Sequence, residues 1–174
     1  HNLISVDLSK LTEVKSIGFG FMDRCMSLES IALPLNLRHI GDWFMYDCRS
    51  LKSITLPQNL TNIFNGFMNY CTSLERITLP DSLQSIGSCF MSDCTSLESA
   101  ALPENITNLG KRFMNSCPSL KSITLPPNLR HIDGWFMNEC TSLKNITLPE
   151  NVNSIGDWFM NNCTSLENII LPQD

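Results

Sequence analysis

The chain holds 174 residues, 43% of them hydrophobic, with a formal net charge of −5. No long run of one sign occurs, which disfavours nonspecific nucleic-acid binding, since that needs a basic stripe. No stretch of about 18 apolar residues exists to cross a membrane as a helix, and no signal peptide is visible.

The first unit is irregular. It reads V-D-L-S-K-L-T-E-V from Val6 to Val14. Ser9 stands where later units carry proline, and two extra residues precede Val14, the counterpart of Leu37. A bulge on one turn is expected there, with the stack unbroken. From Cys25 onward one pattern recurs every 23 residues, at Cys25, Cys48, Cys71, Cys94, Cys117, Cys140 and Cys163. A serine column runs from Ser27 to Ser165 and a proline column from Pro34 to Pro172. A Phe-Met pair recurs from Phe21-Met22 to Phe159-Met160. A strict period of this size predicts a solenoid, each repeat one coil stacked on the last. About seven coils are expected, forming one elongated domain over residues 1–174. Neither end reads as a polar cap and the first residue is His1, so a fragment of a longer chain is expected.

The segment from Cys48 to Tyr70 gives the order of elements within a coil. Ile54 and Leu56 alternate with Ser53 and Thr55, a short strand of period two. Pro57 ends it, having no N–H for a ladder, and Gln58 and Asn59 make the turn. A second, weaker strand is expected around Leu60 to Ile63. Gly41, Gly87, Gly110 and Gly156 follow, at a bend expected to need unusual backbone angles. Two adjacent apolar residues, Phe44 and Met45, cannot both face inward from a strand. On a helical turn, Phe44, Met45, Cys48 and Leu51 share one face. Asp42, Asn65, Ser88 and Asp157 precede that turn as N-cap types. Each coil is therefore expected to run strand, turn, second extended segment, short helical turn. Leucine, isoleucine, phenylalanine, methionine and cysteine columns become inward ladders. The fold class expected is a mostly-β α/β repeat.

The pattern C-x-S-L-x-x-I-x-L-P-x-x-L-x-x-I-G-x-x-F-M-x-x resembles the 23-residue leucine-rich repeat of the BspA-like family, also called the treponemal class. The likeness covers nearly the whole chain. It departs at Phe44-Met45 and its equivalents, where the family commonly has Ala-Phe. The resemblance implies a right-handed solenoid with a parallel sheet along a concave side. It also implies a protein of the bacterial or protist cell surface, in some cases an adhesin.

Candidate chemistry is sparse. There is no C-x-x-C, and a spacing of 23 is not that of a zinc finger, so no metal or cofactor is expected. The seven ladder cysteines are expected to be reduced, buried and inert, acting as small hydrophobes. Disulfides between rungs are disfavoured, because parallel side chains hold their Cβ atoms about as far apart as the strands, roughly 4.8 Å. Cys89 occupies the column of Gly20, Trp43, Gly66, Arg112, Trp135 and Trp158, which tolerates large, small and charged residues. That column is expected to be partly exposed, with Cys89 the reactive thiol. His39 and His131 lie in another column.

Two surfaces are candidates for a partner. On the concave strand face, Glu29, Lys52, Glu75, Glu98, Lys121 and Lys144 form one outward column, with Arg76, Thr55 and Thr78 beside it. Such a flat polar face suits an extended protein or a glycan, while the alternative, a merely solvated sheet, fits the monotony of these columns. On the flank, Trp43, Trp135 and Trp158 form either an exposed aromatic patch or a shield over the coil. Trp135 and Trp158 are on adjacent rungs and should stack. Of four Asn-x-Ser/Thr sequons, at Asn59, Asn105, Asn145 and Asn162, the last two are read as poor acceptors: Asn145 on the strand face, Asn162 beside a buried column.

The reading is a noncatalytic interaction module, not an enzyme, monomeric, at the cell surface or secreted, and used in attachment or host interaction. Its partner is a protein or a glycan, not nucleic acid. The alternative is an intracellular, cytoplasmic scaffold, in keeping with unpaired cysteines.

Overall fold

The computed structural model describes residues 2–171; Pro172, the last member of the proline column, lies outside them. The described strands, numbered in chain order, form two sets, all paired parallel. Three-residue strands are β1 (Ser5–Asp7), β3 (Ser30–Ala32), β6 (Arg76–Thr78), β8 (Ser99–Ala101), β10 (Ser122–Thr124), β12 (Asn145–Thr147) and β14 (Asn168–Ile170). Two-residue strands are β2 (Ser16–Ile17), β4 (His39–Ile40), β5 (Asn62–Ile63), β7 (Ser85–Ile86), β9 (Asn108–Leu109), β11 (His131–Ile132) and β13 (Ser154–Ile155). The result is a mostly-β parallel solenoid. Register follows the repeat: Ser99 pairs with Ser122, and His131 with Ser154. The two extra residues of the first unit are absorbed without a break. Ser5 pairs with Ser30, 25 residues on, yet Ser16 pairs with His39, 23 residues on.

The second strand set, expected to be the weaker, is the continuous one. All seven of its strands form a single sheet, whereas the long strands fall into separate groups, β1-β3, β6-β8-β10 and β12-β14. Four glycines add to this ladder. Gly41, Gly87, Gly110 and Gly156 extend the short-strand ladder, their N–H groups donating to Ile17, Ile63, Ile86 and Ile132 of the preceding coil at 2.7–3.0 Å. A Cβ on Gly87 would fall 2.7 Å from the Phe64 carbonyl carbon, and one on Gly41 2.7 Å from that of Gly18. These glycines are thus required for close approach between coils. The unusual backbone angles expected of them are absent: positive φ among the glycines occurs only at Gly20 and Gly66.

The expected helical turn is also absent; among the described residues no helix forms. Its place is taken by a segment of alternating handedness. Trp43, Met45 and Asp47 have φ of 56°, 52° and 58°, and the same three positions are left-handed in every coil from Gly20 to Asn162. Left-handed backbone costs an L-residue roughly 1–2 kcal/mol, and cross-coil hydrogen bonds offset it. Trp43 N–H and Asp47 N–H donate forward to Asn65 O and Asn69 O at 2.7 and 2.8 Å, while Met45 N–H donates backward to Phe21 O at 2.9 Å. A helix would spend those donors within one coil. The N-cap residues cap across coils instead: Asp42 accepts from Asn65 N–H at 2.7 Å, and Asn65 from Ser88 N–H at 2.9 Å.

The sharp alternation lets Phe44 and Met45 both reach the core, where each is fully buried. The phenylalanines from Phe21 to Phe159 stack rung on rung, with centroids 5.2–6.0 Å apart and rings within 19° of parallel. Removing one such ring should cost roughly 3–5 kcal/mol.

Candidate functional site

The long-strand face presents its columns outward. Glu29, Lys52, Thr55, Glu75, Arg76, Thr78, Glu98, Lys121 and Lys144 are all exposed, because alternation turns Ile31, Ile54, Ile77, Ala100 and Ile146 inward. Lys121 Nζ donates to Glu98 at 2.9 Å, and that bond holds the Glu98 carboxyl below its usual range. Lys144 lies 3.7 Å from Glu167. Both pairs are solvated, so each contributes little to stability.

Those two ion pairs point apart. Lys121 leans back a coil, Lys144 leans forward, and β10 and β12 between them do not pair. Charge does not account for the gap, because Glu75 and Glu98 are also like-charged on adjacent rungs and their strands β6 and β8 pair. The two coils leave a cleft of about 460 Å³ there, walled by Ile123, Leu125, Ile146 and Leu148. They stay joined on the other sides, through His131–Ser154 in the short-strand sheet and Glu139 N–H to Asn161 O. A second interruption follows β3, where only a Thr55–Thr78 bridge precedes β6; no charge pair explains it.

On the flank, Trp135 and Trp158 stack as expected, 5.2 Å apart at 19°. The Arg112 guanidinium lies 5.5 Å from the Trp135 centroid, extending the stack by a cation. Trp158 is 55% exposed and Trp135 half-buried. Trp43 forms a separate patch, meeting Tyr46 edge-on at 5.4 Å, with Tyr46 edge-on to Tyr70 at 5.6 Å. The structure therefore divides the three tryptophans between two patches. Arg112, Tyr46 and Tyr70 belong to these patches and were not singled out from sequence. The available signal was the column itself, in which Arg112 is the rung before Trp135.

All eight cysteines are free thiols. Cys48, Cys71, Cys94, Cys117 and Cys140 are buried as expected; Cys25 and Cys163 are not, being half-buried in the first and last described ladder rungs. Burial pushes the buried thiols up, Cys48 and Cys140 each to about 12. Cys89 is half-buried, its thiol raised by burial and drawn back by the Arg112 charge. His131 Nδ1 is engaged with Ser154 Oγ at 2.7 Å. Asn162, read as a poor sequon, is exposed and left-handed, with φ of 60°. Among the described residues, no group of three or more His, Cys, Asp or Glu converges to hold a metal ion, and no helix is long and apolar enough to cross a membrane.

This architecture matches known proteins. The solved structure of a leucine-rich repeat protein from Bacteroides ovatus superposes with a TM-score of 0.92 at 28% identity, over 97% of this chain and 46% of that one. The present chain thus spans less than half the length of that relative. The leucine rich repeat protein of T. pallidum matches with a TM-score of 0.86 at 31% identity, over 95% of this chain and 79% of that one. A leucine rich cell surface protein from Faecalibacterium prausnitzii shares the fold, with a TM-score of 0.67 at 23% identity, over 99% of this chain and 60% of that one. No curated protein matches in sequence. The family model for the BspA type leucine rich repeat region matches six copies, over residues 1–111 and 65–174. With that repeat running from end to end, the chain belongs to the BspA-type leucine-rich repeat family.

Proposed function

We propose that this chain is a noncatalytic interaction module, one elongated domain acting as a monomer, displayed on a cell surface or secreted, and used for attachment. The observation that carries the reading is the flank stack of Trp135 on Trp158, 5.2 Å apart with Trp158 exposed, large rings of the kind that dominate interfaces. The long-strand face, which aligns short polar and charged side chains from successive coils in register, is the second candidate surface. The family supports protein binding. A structural neighbour described as a cell surface protein supports the location. The partner is a protein or a glycan.

An intracellular scaffold is the second reading, and free thiols are what favour it. That support is weak, because thiols buried with raised pKa react slowly in any compartment. Beads coated with the chain test the proposal. Saturable attachment to intact cells, lost on treating the cells with protease or with glycosidase, is expected and would identify the ligand class. Attachment no better than that of albumin-coated beads would overturn it.

A further inference from the structure

The tryptophan column holds one open place. Gly20 and Trp43, consecutive rungs of one column, are matched four coils later by Arg112 and Trp135. At the later site the Arg112 guanidinium lies over the Trp135 ring, 5.5 Å from its centroid. At the earlier site glycine stands where arginine does, and a pocket of about 310 Å³ opens, lined by Phe19, Gly20, Asp23, Arg24, Trp43 and Tyr46. The far side of Trp43 is closed: its ring lies so near Gly66 that a Cβ there would sit 2.7 Å from ring atom Cδ2. The near side is open, since a Cβ on Gly20 would meet nothing within 4 Å. Phe19 is 76% exposed and Trp43 36% exposed at the rim.

The lining is suited to a cation. Three aromatic side chains, Phe19, Trp43 and Tyr46, line it, and the Asp23 carboxylate adds a negative charge. Asp23 takes part in none of the ion pairs among the described residues, so its charge is not consumed within the chain. Arg24 beside it opposes a bare cation and favours one carried a few bonds from a carbonyl, as on a peptide. We infer that this pocket binds a guanidinium group, as on an arginine side chain of a partner protein, stacked on Trp43 as Arg112 stacks on Trp135. Read as a partner contact, the inference rests on the interaction-module proposal, and a small-molecule probe tests it apart from that proposal.

The probe is N-acetyl-arginine amide, titrated to tens of millimolar while the tryptophan indole N–H signals are followed by NMR, with Trp43→Phe assigning the Trp43 signal. The Trp43 signal should shift saturably and those of Trp135 and Trp158 should not. The neutral isostere N-acetyl-citrulline amide should bind about tenfold more weakly. Gly20→Arg supplies the group from within the chain. Its backbone is already suited, with φ of 64° at Gly20 and 58° at Arg112. That variant should fold and lose the arginine response, and Asp23→Asn should weaken it about threefold. No shift at Trp43, an equal response to citrulline, a response to methyl glucoside alone, or full binding by folded Gly20→Arg would each overturn the inference. None of these results bears on whether the chain attaches to cells, so the two failures are distinguishable.

Discussion

The Cys71 thiol donates a hydrogen bond to the Met45 carbonyl of the preceding coil, at 3.3 Å. Every ladder cysteine from Cys48 to Cys163 makes the same bond to the methionine 26 residues before it. Each of those methionines is left-handed, so its carbonyl turns away from the strand ladders. Cysteine fills this position because it is small enough for the corner and can still donate. Cys94→Ala leaves the Met68 carbonyl with the Cys71 N–H, at 3.3 Å, as its one remaining donor and opens a void. It should cost roughly 1–3 kcal/mol, read as a lower urea midpoint. An unchanged midpoint would mean that neither the bond nor the packing of this thiol stabilises the coil.

Alkaline pH should loosen the stack. The folded thiol of Cys140 titrates at about 12 against an ordinary 9.0, raised chiefly by burial. Above pH 9 the unfolded chain has lost this proton and the folded chain keeps it. Stability is therefore full below the unfolded value and falls as pH rises toward 12. Each such thiol contributes up to about 1.4 kcal/mol per pH unit. Urea unfolding from pH 8 to 11 should show this decline, and it should be shallower in Cys140→Ala. Parallel profiles for the two proteins would contradict it.

Thiol labelling separates the cysteines by rung. In the native chain three thiols, Cys25, Cys89 and Cys163, should react, while the five buried ones wait for denaturant. Cys89 should react first, because Cys25 and Cys163 each donate a hydrogen bond, to Met22 Sδ and Met137 O, that reaction must break. Mass spectrometry of early time points reads the order. Early modification of Cys71 or Cys94 would mean that the coils open readily.

One rung of a polar ladder is broken. Asn161 donates to Asn138 at 3.0 Å, and Asn138 to Asn115 at 3.2 Å. In the same column Ser92 donates elsewhere, to Arg112 O at 2.6 Å, and the buried Asn69 Oδ1 is left without a partner. Ser92→Asn offers Asn69 a donor, and should stabilise the chain by about 1 kcal/mol in thermal unfolding. A lower melting temperature would show that the bond to Arg112 matters more.

The period, the strand–proline–strand order and the inward columns were legible because each repeats in phase: Ile54, Ile77 and Ile146 face in wherever Thr55, Thr78 and Thr147 face out. The corner was misread because Phe44, Met45, Cys48 and Leu51 fit a helical face as well as they fit an alternating one. The missed signal lies at the left-handed positions. They hold Gly, Met, Trp, Arg, Asp, Asn, Ser, Glu, Tyr and Cys, and none is β-branched, as positive φ demands. The cleft after β10 carried no signal: Lys121 and Lys144 follow one another as like charges, but so do Glu75 and Glu98, where β6 and β8 pair. The patch around Arg112 needed the column read as a stack of planar groups, not as a list of tolerated residues.

The most direct measurement compares two double variants in saturable binding of labelled chain to intact cells. Trp135→Ala with Trp158→Ala removes the large rings of the flank; Lys121→Glu with Lys144→Glu reverses charge at the cleft on the strand face. Both pairs are surface changes, so circular dichroism should confirm folding of each. Large rings dominate interface energetics, so the tryptophan pair should weaken binding about tenfold or more and the lysine pair by about threefold or less. Binding abolished by the lysine reversals and untouched by the tryptophan pair would place the site on the strand face and contradict the aromatic reading. No binding by the parent chain would contradict the interaction module itself.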